Sequence, residues 1–226
     1  MDSSPGAVKR RYDTTRRRAR ADDARRRVLD AAQRLFLHGG YAATTMAAVA
    51  AEAGVSVESV YKAHGSKARL VLAVFHHAIR GDARESAEER ADRISVHEAD
   101  PVRRLRGFGA IVGAVTARVA PLMLLVSAAA GADEELAAAW QQMQAERLER
   151  MAGHARRLAD GGHLRAGVTV DEARDVFWLF TAPEVYDLMV GQRGWSTDRF
   201  GAWVGDAYVA ALLEPHARTA SSGPAV

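Results

Sequence analysis

Apolar residues return every third or fourth position along most of the chain, and the rhythm is broken mainly by glycine, proline and hydroxyl residues. Val28, Leu29, Ala32, Leu35 and Phe36 have helical spacing. This first helix is expected to open at Asp22 or Asp23, either able to cap it, and to close at Gly39–Gly40, which supply left-handed backbone. Thr44 or Thr45 caps a second helix with Met46, Val49, Ala50 and Ala53 inside, stopped by Gly54. Ser56 caps a short third helix that ends at Gly65, and Ser66 caps a fourth, "KARLVLAVFHHAIRGD". The fourth is apolar on most sides, which places it between layers and not on a surface. Downstream, "ARESAEERADRISVHEA" is a charged helix or linker. Pro101 opens a helix through about Val119, and Pro121 opens another. Asp133–Asp160 is the clearest long amphipathic helix, and "GGHLRAGVT" is a loop. "VDEARDVFWLFTAPEVYDLMVG" and "STDRFGAWVGDAYVAALLE" are two late helices joined by "QRGW". No strand alternation of useful length and no internal repeat is present, so the pattern predicts an all-α protein. Residues 1–21 have almost no apolar content and are expected to form a disordered basic arm. The stretch 215–226 is expected to be a disordered tail.

Composition sharpens this outline. Of 226 residues, 48% are hydrophobic, enough for a sizeable core, and none is cysteine. That excludes a disulfide framework, a thiolate zinc site and a cysteine nucleophile, and it fits a cytoplasmic protein. Arginines occupy the place where a secretory leader needs its apolar stretch. The longest apolar run, "VAPLMLLVSAAAGA", is shorter than the roughly 20 residues that span a bilayer, so it is expected to be core with no membrane role. The formal net charge of +3 hides an asymmetry: residues 1–69 carry 14 Lys and Arg against 7 Asp and Glu, and the remainder 17 against 21. A basic head on an acidic body points to a polyanion-binding end joined to something else.

The head contains the matching motif. A helix-turn-helix lays its second helix in the major groove of DNA while the first crosses the backbone. Its turn needs a glycine for positive φ, then an apolar residue facing the core, then a capping residue whose helix offers amides to a phosphate. Gly54, Val55 and Ser56 satisfy all three. The stretch "TTMAAVAAEAGVSVESVYKAHGSKARL", with "AAQRLFLHGGYAATT" overlapping its start, resembles the DNA-binding domain of TetR-type repressors over about residues 23–80. The resemblance rests on Thr45, Val49-Ala50, Ala53-Gly54-Val55-Ser56, Tyr61, Ser66-Lys67 and Leu70. The chain departs from the family at Glu58, where a small residue is usual, at Ala63, and at His64, where phenylalanine is usual. The resemblance implies that Thr45, Ser56, Ser59, Tyr61 and Lys67 contact phosphates or bases. Val57, Glu58 and Lys62 lie on the face that reads bases, and Glu58 would either accept from a cytosine amino group or be repelled by phosphate. Arg16, Arg17 and Arg18 of the arm would enter the adjacent minor groove or neutralise phosphates. Plain core packing is the competing reading for Tyr61, and capping alone for Thr45 and Ser56.

The family further implies a three-helix DNA-binding domain at residues 22–68, its connecting helix running to about 80, followed by a helical regulatory and dimerisation domain at 69–214. The partners are then a palindromic double-stranded operator, a second copy of the chain and a small, largely apolar effector, with no cofactor. Candidate pocket residues are Phe108, Val112, Met123, Trp140, Met143, Phe177 and Glu184, the last because Pro183 interrupts its helix. For each aromatic or methionine, ordinary core is the rival reading, and for Glu184 a solvated carboxylate at a restarting helix. The alternative for the whole chain is a ligand-insensitive DNA-binding protein whose body serves only to dimerise. Enzyme readings fare worse. "GFGAIVG" lacks a preceding strand and is better explained by small residues that let two helices approach. His76 and His77 are adjacent and point to different faces, and neither "GVSVE" nor "GWSTD" is a nucleophile elbow. No metal site is expected.

Overall fold

The computed structural model describes residues 5–81 and 87–215, with the side chains of 20–81, 89–94 and 98–215. It is helical with no strand among the described residues, and it divides after Val74 into two units.

The first unit is built from α1 (Pro5–Ala43), α2 (Met46–Ala53), α3 (Val57–His64) and the first half of α4 (Lys67–Arg80). Its caps are local and match the sequence pattern. Gly40 (φ 81°, ψ 168°) breaks the helical path of α1. Thr45 caps α2, Ser56 caps α3, and Gly54 and Gly65 end them with positive φ. The Arg69 N–H donates to Ser66 Oγ at the start of α4. The core is small and tight: Ala31, Ala32, Phe36, Val49, Leu70 and Val71 are fully buried, and Tyr41 stacks on Phe36. The start of α1 differs from the expectation. Asp22 and Asp23 lie inside the helix and cap nothing, because helical backbone runs back to Pro5. No glycine or proline stands between Ala7 and His38, and arginine and alanine are good helix formers, so the backbone hydrogen bonding is nowhere interrupted. Of the proposed arm at 1–21, residues 5–21 are helical backbone; the rest lie outside the described residues.

The second unit contains the rest of α4, then α5 (Ala87–His97), α6 (Pro101–Ala129), α7 (Glu134–Asp160), α8 (Val170–Phe180), α9 (Pro183–Tyr186), a wide turn at Asp187–Gln192, and α10 (Thr197–Leu212). Its closest pairing joins α6 and α10. A Cβ at Gly109 would meet the backbone of Gly201 and Gly205, and one at Gly113 would lie 3.0 Å from Gly201 Cα. Gly109 and Gly113 of "GFGAIVG" thus do what the motif suggested, and Gly201 and Gly205 of α10 face them. Around this seam Phe108, Phe177 and Tyr208 form one aromatic cluster, with the Tyr208 hydroxyl donating to Phe177 O at 3.2 Å. At the end of α4, Arg118 donates to the carbonyls of Ala78 and Ile79, which the helix itself leaves without partners.

One expectation about α6 fails. Pro121 does not start a new helix; it sits exposed inside one continuous helix. Its ring faces solvent, and the burial of Leu122, Met123 and Val126 immediately beyond it outweighs the one lost backbone bond. The stretch Pro101–Ala132 is consequently long and apolar enough to cross a bilayer by length and composition, but half of its most apolar window is buried, as in a core helix. The late segment from Val170 also differs: α8 stops at Phe180, and Pro183 occupies the first turn of α9, where its missing N–H costs nothing. Residues 216–226, the expected tail, lie outside the described residues.

Candidate nucleic-acid interface and effector cavity

Between α2 and α3 the chain reverses in three residues. The Gly54 N–H donates to Ala51 O and the Val55 N–H to Ala50 O, which closes the end of α2 around the left-handed Gly54. The Ser59 N–H donates to Ser56 Oγ at 3.2 Å, and the two hydroxyls are 2.9 Å apart. Helical periodicity then sorts α3. Val60 and His64 are buried, whereas Glu58, Ser59, Tyr61 and Lys62 are exposed and Val57 is half-buried. Tyr61 is 50% exposed, so core packing does not explain it. The result is a short helix presenting one phenol, one carboxylate, one ammonium and two hydroxyls on a basic unit.

Thr45 and Ser56 both act as caps, and Thr45 Oγ1 accepts from the Ala48 N–H at 3.0 Å. Lys67 has a structural task that the sequence did not suggest. Its Nζ donates to Tyr41 O at 2.9 Å and lies 4.1 Å from the centre of the Tyr41 ring, tying the start of α4 to the exit of α1. His64 fills the place of the expected phenylalanine. It is 8% exposed, its Nε2 lacks a partner, and burial, with Arg25 nearby, lowers its pKa. The side chains of Arg16, Arg17 and Arg18 lie outside those described.

The second unit holds a cavity of about 290 Å³. Phe75 and Ile79 of α4, Phe108, Val112, Thr116 and Met123 of α6, and Arg147 and His154 of α7 all line it. Arg147 and His154 are buried despite their polarity. Burial lowers the Arg147 pKa to about 10, with Glu184 and Tyr208 pulling it back, so the guanidinium remains charged at neutral pH. Burial, aided by Arg157 and Arg150, lowers the His154 pKa to about 3, so this imidazole is neutral.

Residues 28–74 match the family model described as "Bacterial regulatory proteins, tetR family". The likeness to that family covers the helix-turn-helix segment, from Val28 in α1 to Val74 in α4. Solved structures extend the likeness of fold over both units. NalD, the secondary repressor of the MexAB-OprM multidrug efflux pump in Pseudomonas aeruginosa, superposes with a TM-score of 0.64 at 20% identity, covering 86% of this chain and 99% of NalD. SmeT, the repressor of the Stenotrophomonas maltophilia multidrug efflux pump SmeDEF, gives 0.65 at 22% identity in its complex with triclosan, covering 86% and 93%. A protein of Saccharomonospora viridis in complex with choline gives 0.60 at 18% identity, covering 85% and 99%. No curated protein sequence matches the chain.

The pocket candidates divide. Phe108, Val112 and Met123 line the cavity. Phe177 stands behind Phe108, with ring centres 5.6 Å apart, and borders only a small adjoining hollow of about 20 Å³. Met143 is fully buried and Trp140 half-buried, but neither reaches the cavity, which begins one turn further along α7 at Arg147. Glu184 does not line it either. Pro183 starts a new helix at that point, so the carboxylate sits exposed in a first turn, where it is favoured by the helix dipole. The sequence reading missed Arg147, His154 and Thr116. A signal for Arg147 existed: Met143, Arg147 and Met151 are spaced by four and share the buried stripe of α7, so an arginine stood at a core position.

Proposed function

We propose that this chain is a homodimeric transcriptional repressor of the tetR family that binds a palindromic operator through α3 and is released by a small molecule held in the cavity of its second unit. The observation that carries the reading is α3 itself: a capped eight-residue helix whose outer face exposes Glu58, Ser59, Tyr61 and Lys62. Thr45, Ser56, Ser59, Tyr61 and Lys67 serve phosphates or bases. Val57, Glu58 and Lys62 face base edges, and Arg16, Arg17 and Arg18 add contacts from upstream. A two-fold dimer brings two such helices to successive major grooves, about 34–36 Å apart. Leu179 and Leu188 support the dimer. They are about half exposed on α8 and the wide turn after α9, beside the half-buried Trp178, Met189 and Val190, and such a face calls for a partner.

The cavity supports a ligand response. A body that served only to dimerise would have no use for a 290 Å³ hollow lined by a buried arginine. Relatives in fold are solved with triclosan and with choline, and NalD and SmeT repress efflux pumps. The coupling runs through α4. This helix begins at Lys67, beside the reading head, and carries Phe75 and Ile79 on the cavity wall. The chain needs no cofactor and works in the cytoplasm with its DNA. The test is a thermal-shift screen with small lipophilic compounds, followed by operator binding with each stabilising compound present. Compounds that raise the melting temperature should lower operator affinity; compounds that stabilise the protein yet leave that affinity unchanged would refute release by the cavity ligand.

A further inference from the structure

Arg147 is 6% exposed, and a buried guanidinium is costly unless a counter-charge answers it. Its Nη1 donates to Trp178 O at 2.6 Å and to Thr181 Oγ1 at 3.0 Å, and its Nε donates to Gln144 Oε1 at 3.3 Å. The plane rests on the Trp178 ring, 4.4 Å from its centre. Every one of these partners is neutral. Among the described residues no carboxylate lies within ion-pairing distance, and Nη2 has no acceptor; the exposed Glu184 attracts the guanidinium only through space. The residue lines the cavity.

The other polar groups on that wall have the same character. Arg157 donates to His154 Nδ1 at 2.9 Å, which leaves the proton of this neutral imidazole on Nε2, a donor. Thr116 is 3% exposed and makes no hydrogen bond among the described residues. Arg150 and Arg157 add positive charge, and the one acidic lining residue, Asp92, already pairs with Arg157 at 3.4 Å. The rest of the wall is apolar, with Phe75, Val112, Val119 and Met123. The cavity's volume of about 290 Å³ is far above the ~10–15 Å³ that a single water needs, so it can hold a small molecule.

We infer that the cavity selects a small organic anion, an apolar body bearing one carboxylate that accepts from Arg147. The inference rests on reading the cavity as the effector site and adds the charge of the effector. A cationic ligand would set like charge beside Arg147, and a neutral one would leave the guanidinium with no paired carboxylate, only the through-space pull of Glu184. A carboxylate accepts from the free arm of the fork in a charge-assisted hydrogen bond, with the donors of Thr116 and His154 on the same wall.

The experiment uses the full chain and two matched pairs of ligands: octanoate against 1-octanol, and 4-chlorobenzoate against 4-chlorobenzyl alcohol, titrated calorimetrically at pH 7.5. Each carboxylate should bind at least tenfold more tightly than its alcohol. Arg147→Gln should bring that ratio near one while changing alcohol affinity only a few-fold. Alcohols that bind the parent protein as well as the acids overturn the inference while leaving the cavity as an effector site. A carboxylate preference that survives Arg147→Gln undiminished overturns the role of Arg147. Binding by no member of either pair, in a protein that still binds DNA, overturns the cavity reading and the inference with it. Should circular dichroism find Arg147→Gln unfolded, the matched pairs on the parent protein still decide, and Thr116→Val should weaken the acids more than the alcohols.

Discussion

Gly109→Ala should destabilise the second unit, although it replaces a poor helix former with the best. A Cβ at this position would lie 2.5 Å from Gly205 Cα and 2.6 Å from Gly201 O. Unbonded carbons settle at about 3.5–4.0 Å, so α6 and α10 must part by about 1 Å. Both obstructing atoms are backbone, and no rotamer change relieves them. A radial gap of that size forfeits a quarter to a half of each dispersion contact along a seam that includes Phe108, Val112, Val204 and Tyr208. Overpacking of this kind costs about 1–3 kcal/mol, occasionally more. The alanine recovers roughly 1 kcal/mol of helix propensity. The clash wins because it strains an entire interface and so sits at the upper end of that range, about 2–3 kcal/mol, which leaves a net loss of about 1–2 kcal/mol. At ~2–4 °C per kcal/mol for a protein of this size, the melting temperature should fall by roughly 2–8 °C. Gly131→Ala is the control: nothing lies within 4 Å of its Cβ, and its φ is not positive. It should be neutral or gain up to about 1 kcal/mol. Thermal and urea unfolding followed by circular dichroism measure both. A Gly109→Ala protein as stable as the parent, or as Gly131→Ala, would refute the account of this seam.

Further outcomes follow from other parts of the structure. Lys67→Met removes the bond to Tyr41 O and the contact with its ring, and should cost the first unit about 1 kcal/mol in chemical denaturation. His154 is held neutral in the fold, with a pKa of about 3 against 6.5 when unfolded. Between these values the unfolded chain binds more protons, so the stability His154 contributes is intact above pH 6.5 and is lost as pH falls toward 3, by up to about 1.4 kcal/mol per unit. Melting temperature against pH should therefore fall less steeply for His154→Leu than for the parent. Leu179→Glu with Leu188→Glu should convert the dimer to monomer in sedimentation and abolish tight operator binding; a dimer that persists would place the interface elsewhere.

What the sequence revealed was governed by chemistry close at hand along the chain. The stops and starts at Thr45, Gly54, Ser56, Gly65 and Ser66 depend on a side chain and an amide three residues away, or on a single positive φ, and all were legible. The same holds for "GFGAIVG", where absent side chains announced a close approach. What failed depended on distant partners. Pro121 looked like a boundary because its local effect is disruptive, but the core beyond it holds the helix together. Asp22 and Asp23 looked like caps, but nothing upstream interrupts the helix. Arg147 looked like one more charge on an arginine-rich helix. Its burial is set by the end of α8, where Trp178 O and Thr181 accept from it 31 and 34 residues away. Glu184 was assigned to the pocket on the strength of a proline that in fact starts a new helix pointing it to solvent.

The central claim is that α3 reads DNA as one half of a two-fold pair. The most direct measurement selects preferred sites from a random double-stranded pool with the full chain, then titrates single-base-pair variants of the selected site at fixed salt. The account predicts a symmetric site with half-site centres about 34–36 Å apart. Lys62→Ala should cost roughly 1–3 kcal/mol and relax preference at one base pair per half-site, whereas Tyr61→Phe should weaken every variant about equally. Glu58→Ala should either tighten binding and relax selectivity, if the carboxylate repels phosphate, or weaken binding, if it accepts from cytosine. A pool that yields no symmetric sequence, or three folded variants that bind every site like the parent, would contradict the claim.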